Sequence, residues 1–164
     1  MATRKWLGGV TARAQVSTIV VGGTVAINDT IVITIGYSSI TVTATSTSTS
    51  TTASQVQAAL SASTAPPEFR EVTWTVNSST VTGTAKTAGV PFVVSTTPSA
   101  SVTANVTDTV SATGPNFANV AANWNAATLP TTGDTIVAED DAPSILYGLT
   151  SNTDVFAKVS IESG

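Results

Sequence analysis

The chain contains no cysteine and no histidine. Without thiols there is neither a disulfide framework nor a thiolate metal centre, and the redox character of the compartment leaves no trace in the sequence. Without imidazole, the Ser-His-Asp and Cys-His constellations, the usual zinc ligand sets and the commonest general base near neutral pH are excluded. Charge is scarce: 10% of the 164 residues are charged, with a formal net charge of -4. The six Lys and Arg are scattered, except that Arg4, Lys5 and Arg13 fall near the start. They make no concentrated basic face for nucleic-acid phosphates, and the three N-terminal ones read as a solvated terminus. No apolar run approaches the length of about 18 residues that spans a bilayer. Behind Arg4-Lys5 stands only Leu7-Gly-Gly-Val10 before Arg13, too short for the apolar region of a secretion signal.

What remains is mostly small and β-branched, and 51 of the 164 residues are Ser or Thr. Thr and Val lose side-chain freedom in a helix but pack well on a pleated surface, so the composition favours strands. Gln15–Val21 reads as a strand closed by Gly22-Gly23, and Thr24–Ile27 resumes it before an Asn28-Asp29 turn. Ile31–Ile35 and Ile40–Ala44 flank Gly36-Tyr-Ser-Ser39 as a β-hairpin. Thr45–Thr52 alternates Thr and Ser without apolar positions and reads as an exposed strand end or a flexible connection. Thr52-Ala-Ser-Gln55 then fits a capping box for a short helix that carries Val56, Ala59 and Leu60 on one face, ends near Ser63 and is stopped by Pro66-Pro67. Arg70–Val76, Thr80–Lys86 and Val90–Ser95 follow as strands separated by Asn77-Ser-Ser79 and Thr87-Ala-Gly89, and Val102–Ala112 as a further one. A hairpin, one helix and a meander make a compact α+β unit over residues 13–113, and Gly114-Pro115-Asn116 marks its end. In the remainder, Thr135–Ala138, Ser144–Tyr147 and Val155–Ile161 read as short strands.

Trp6-Leu-Gly-Gly9, Asn123-Trp124 and Leu129-Pro-Thr-Thr-Gly-Asp-Thr-Ile-Val137 resemble, in order, the opening rung of β-solenoid proteins on bacterial and phage surfaces. The pieces of that pattern lie more than a hundred residues apart here. The resemblance therefore implies that residues 13–113 are an insertion between two parts of one edge, with residues 1–12 pairing with residues 114–164 and Trp6 meeting Trp124. The inserted unit is similar to small domains of tailed-phage virion proteins, through Ala65-Pro-Pro-Glu-Phe69 and Gly89-Val-Pro-Phe92. The fold class expected is mainly β: an antiparallel sheet unit with one short helix, plus a β-solenoid-like or β-sandwich-like edge formed by both termini. The function expected is a non-enzymatic virion structural protein of the capsid-decoration or head-fibre type, on the phage particle surface. Its partners would be the major capsid or other virion proteins and further copies of itself, such as a trimer, with no nucleic acid, membrane or cofactor. A glycan-binding adhesin module of a cell surface or tail fibre is the alternative. Trp6, Trp124, Tyr147 and Phe156 are the packing or interface residues.

Other candidates are weighed against plainer readings. Glu139-Asp140-Asp141 is the densest acidic cluster and could supply oxygen ligands to calcium, but it lacks the spaced ligands and glycine of an EF-hand loop and reads first as a solvated turn. Glu68, Glu71, Asp134 and Glu139 could form a carboxylate pair for glycoside hydrolysis, without evident aromatic platforms for a sugar. Trp6, Trp74 and Trp124 could stack on carbohydrate, yet a Trp in a strand or turn more often anchors a core. Asn28-Asp-Thr30, Asn77-Ser-Ser79 and Asn105-Val-Thr107 match the glycosylation sequon, which Ser/Thr-rich chains meet by chance. Gly8-Gly9 and Gly22-Gly23 lack the Lys-Ser/Thr of a phosphate loop.

Overall fold

The computed structural model describes residues 2–139, 141–148 and 158–162. In chain order the elements are β1 (Thr3–Lys5), β2 (Val16–Gly23), β3 (Thr30–Ile35), β4 (Ser38–Thr43), α1 (Thr49–Leu60), α2 (Pro67–Arg70), β5 (Val72–Asn77), β6 (Thr80–Ala85), β7 (Val94–Pro98), β8 (Val102–Val110), β9 (Thr135–Glu139) and β10 (Lys158–Glu162). The protein is mainly β, with 41% strand, and among the described residues there is one substantial helix and no closed barrel. It divides into two compact units, residues 14–112 and residues 1–13 with 113–164.

The unit of residues 14–112 holds two antiparallel sheets, ordered β5-β6-β2-β8 and β4-β3-β7. Strict alternation decides which side of each strand is buried: Ile31, Ile33 and Ile35 turn inward from β3 while Thr30, Val32 and Thr34 do not. Ser17, Ile19 and Val21 from β2, Val81 from β6, and Val102 and Ala104 from β8 complete the buried rows. Each aliphatic side chain so buried contributes about 1.5–3 kcal/mol. The β3–β4 hairpin turns through Gly36 and Tyr37, with Ile35 opposite Ser38, and the positive φ of 59° at Gly36 suits the first central position of a two-residue turn. At Gly83 the requirement is space: a Cβ there would lie 2.5 Å from the indole of Trp74, its direct cross-strand partner.

Several elements differ from the sequence expectation. The helix begins at Thr49, inside the Thr/Ser run, because Ser48 is the N-cap and its hydroxyl accepts from the Thr51 N–H at 3.4 Å. Thr52 and Ala53 are buried, so the inward face is Thr52, Ala53, Val56 and Leu60, one turn longer than apolar spacing alone suggests. Gln55 reaches back to Thr45 instead of closing a capping box. The strands after the helix are not a meander. β6 pairs with β2, while β7 starts at Val94, not Val90, and joins the hairpin's sheet beside β3. Val25 is buried in the core without strand pairing, so Thr24–Ile27 does not extend β2.

The other unit is built on a three-stranded sheet ordered β1-β9-β10, in which both pairings are parallel. Lys158 pairs with Thr135 and Glu162 with Glu139, a constant offset of 23 residues. Thr3 pairs with Thr135, an offset of 132 residues, of which residues 14–112 account for 99 and leave 33. Both remainders lie in the range of about 20–45 residues over which solenoid coils repeat. One turn of 3-10 helix, Ala121–Asn123, and an irregular turn over Asn125–Ala127, with positive φ at Ala126 and Ala127, precede β9. Ser144–Tyr147 is not a strand; one parallel bridge joins Tyr147 to Phe117. Of the strand expected over Val155–Ile161, residues 155–157 lie outside the described residues.

Candidate functional site

In the unit containing both termini, Trp6 and Trp124 face each other across an antiparallel bridge with ring centroids 5.0 Å apart, edge to face, and each is 1% exposed. Both indole N–H groups are used, Trp6 on the Pro143 carbonyl at 2.6 Å and Trp124 on the Ala118 carbonyl at 2.7 Å. Ala118 and Ile136 close the cluster, with Ala138, Ala142 and Ile145 packed against it. Asn123 is the polar hub beside it. Its side chain donates to the Gly114 and Phe117 carbonyls and accepts from the Val10 N–H, while its own carbonyl accepts from the N–H groups of Leu7 and Gly8. Two stretches, residues 7–10 and residues 114–117, are thus tied to one fully buried residue.

Asp134 plays the matching part at the start of β9. Its carboxylate accepts from the Ala2 N–H at 2.8 Å, from Arg4 Nε at 3.1 Å, and from the N–H and hydroxyl of Thr131. These contacts lower its pKa to about 2, the Ala2 N–H contributing most and burial opposing the shift. Lys5 forms an ion pair with Glu139. The carboxylates of Asp134 and Glu139 are therefore engaged in holding β1 against β9. Asp140 lies outside the described residues, and Asp141 is exposed. No cluster of metal-ligating side chains occurs among the described residues.

Tyr147 packs on Phe117 with centroids 4.8 Å apart, and Phe156 lies outside the described residues. Trp74 belongs to the other unit, where it is 5% exposed and its N–H donates to the Phe69 carbonyl at 3.0 Å. None of the three indoles is therefore an open platform for a sugar. Glu68 and Glu71 are exposed on and just after α2, in a different unit from Asp134 and Glu139.

No protein-family model matches the chain, and no curated protein is significantly similar to it. Its chemistry has to be read from its own surfaces.

One of these is the outward face of the four-stranded sheet. It presents Thr73, Thr75 and Asn77 from β5, Thr80, Thr82 and Thr84 from β6, Val16, Thr18 and Val20 from β2, and Thr103, Asn105, Thr107 and Thr109 from β8. The ladder aligns them in rows, such as Thr75, Thr82, Thr18 and Thr107. None of these side chains is charged. The whole unit of 99 residues carries six charges: Asp29, Glu68, Arg70, Glu71, Lys86 and Asp108.

Sequence reasoning missed Gln15. It is 4% exposed and clamps Phe92, donating from Nε2 to the Phe92 carbonyl at 2.6 Å and accepting from the Phe92 N–H at 3.1 Å. Its Nε2 also reaches Ser17 and Asp108, and Ser17 donates to the same carboxylate. The local signal was a lone amide opening a β-branched run; its partner is 77 residues away.

Proposed function

We propose that this chain is a non-enzymatic virion structural subunit, a capsid-decoration or head-fibre component that binds capsid protein and neighbouring copies of itself. The observation that carries this reading is the uncharged outer face of the β5-β6-β2-β8 sheet. Exposed sheet faces of free-standing proteins ordinarily carry interspersed Lys, Arg, Asp and Glu, which keep them soluble and apart. A face of hydroxyls and valines can be covered without desolvating a charge, and interface cores are depleted in charge for that reason. The β1-β9-β10 stack adds support, because its parallel register is that of a coil in a surface solenoid. The Trp6–Trp124 joint and the Asp134 pin act as internal fasteners of that stack.

Light scattering of the purified protein across a dilution series tests self-association. A closed oligomer, such as a trimer, is expected, and Thr18→Glu with Thr82→Lys in the centre of the face should dissociate it without unfolding the unit. A monomer at every concentration removes self-association from the proposal. Mass spectrometry of purified particles should recover the chain at a fixed ratio to the major capsid protein, and its absence from particles would overturn the virion assignment.

A further inference from the structure

A second surface of the 14–112 unit differs from the neutral face in both shape and charge. Between α2 and the segment that leads into β7 lies a groove of about 390 Å³. Ile35, Val72, Val90, Pro91, Phe92 and Val93 supply most of its apolar lining. The volume falls within the range of about 300–1,000 Å³ usual for ligand sites, and the lining is mostly apolar. Val90 is 44% and Val93 78% exposed, so the apolar surface continues outward beyond the groove.

The wall is held in place by something other than a strand. Residues 91–93 have no ladder partner, yet the buried amide of Gln15 satisfies both backbone groups of Phe92. Phe92 also meets Trp74 edge to face, with centroids 6.4 Å apart. The side chain of Gln15, the residue just before β2, thus supplies the hydrogen bonds that a neighbouring strand would otherwise give this wall.

The groove has one polar feature that bears charge. Glu68 and Glu71 line it, both exposed, and neither makes an ion pair among the described residues. The two carboxylates are three residues apart and sit on one side of the same turn. An occupant that fills the apolar part and presents a cation at this rim is complementary to both features.

We infer that the groove binds an extended segment of a partner protein in which an aliphatic side chain enters between Val72 and Phe92 and a Lys or Arg two residues along, on the same side of the segment, pairs with Glu68 and Glu71. A peptide suits the site better than a small amine, because the exposed Val90 and Val93 extend the apolar contact past the groove. This inference is independent of the assembly reading, which rests on a different face.

The test uses the full chain with labelled valine methyl groups, observed by NMR during titration with three probes. These are the acetylated and amidated tetrapeptides Leu-Thr-Lys-Thr and Leu-Thr-Glu-Thr, and hexylammonium. The Lys peptide should shift the Val72, Val90 and Val93 methyls and bind about fivefold more tightly than the Glu peptide, the size expected of exposed ion pairs. Added salt should erase that preference. Glu68→Gln with Glu71→Gln should abolish the discrimination and leave residual binding of both peptides, while Val93→Ser should weaken both. Both sites are exposed, so the variants are expected to fold. Equal binding of the two peptides, shifts confined to other valines, or no shift into the millimolar range would overturn the inference. Hexylammonium binding as tightly as the Lys peptide would overturn the assignment of a peptide occupant.

Discussion

Asn123 offers the sharpest test of how the terminal unit is fastened. Its side chain makes three hydrogen bonds, to the Val10 N–H at 2.9 Å and to the Gly114 and Phe117 carbonyls at 2.8 and 3.0 Å, and it is fully buried. At a net value of about 1 kcal/mol each, Asn123→Ala should cost about 3 kcal/mol, with a further loss if any stranded partner stays dry. Asn123→Asp is the discriminating partner of that variant. A carboxylate can still accept from Val10, but it turns oxygen toward two carbonyl oxygens and buries a charge, so at neutral pH it should be less stable than Ala despite near-identical shape. Burial raises the pKa of that carboxyl in the folded state, so the deficit should shrink on acidification, as protonation restores one donor. Urea unfolding followed by indole fluorescence gives the stabilities, and hydrogen exchange at the Val10 amide gives the local effect. An Asp variant as stable as the Ala variant at neutral pH, or an Ala variant within about 0.5 kcal/mol of the parent, would refute the hub as described.

Two further outcomes follow from other particular contacts. Folding lowers the pKa of Asp134 from 3.8 to about 2, so its stabilising contribution is complete above 3.8 and is lost as pH falls toward about 2; acid titration of unfolding should show this slope in the parent and a weaker one in Asp134→Asn. Gly83→Val drives a side chain into the Trp74 ring and should destabilise the 14–112 unit by about 1–3 kcal/mol, with loss of the near-ultraviolet circular dichroism contributed by Trp74.

Much of the 14–112 unit was legible because strand alternation is a local signal. Ile31-Val-Ile-Thr-Ile35 and Ile40-Thr-Val-Thr43 form the hairpin that their pattern predicts, and Thr80–Ala85 pairs with Val72–Asn77 across the Asn77-Ser-Ser turn. The helix start was misplaced because hydroxyl residues serve equally as exposed strand, loop or N-cap. Ser48 becomes a cap, and Thr52 a buried helical residue whose hydroxyl bonds back to the Ser48 carbonyl, only once β2, β4, β5 and β6 supply something to pack against. The acidic residues were read by their type, whereas their partners decide what they do: Asp134 and Glu139 hold β1, and Glu68 and Glu71 face a groove.

The sequence by itself determined that the chain is mainly β, that thiol and imidazole chemistry are excluded, and which residues alternate toward a core. These follow from side-chain shape and from the two-residue period of a strand, which need no partner to be read. Only the tertiary structure decided which strands pair, that β7 joins β3 rather than β6, and that Gln15 holds Phe92. Hydrogen bonding between strands is indifferent to the separation of their residues along the chain, and many pairings satisfy the same alternation, so that choice is made by the packing of the whole unit.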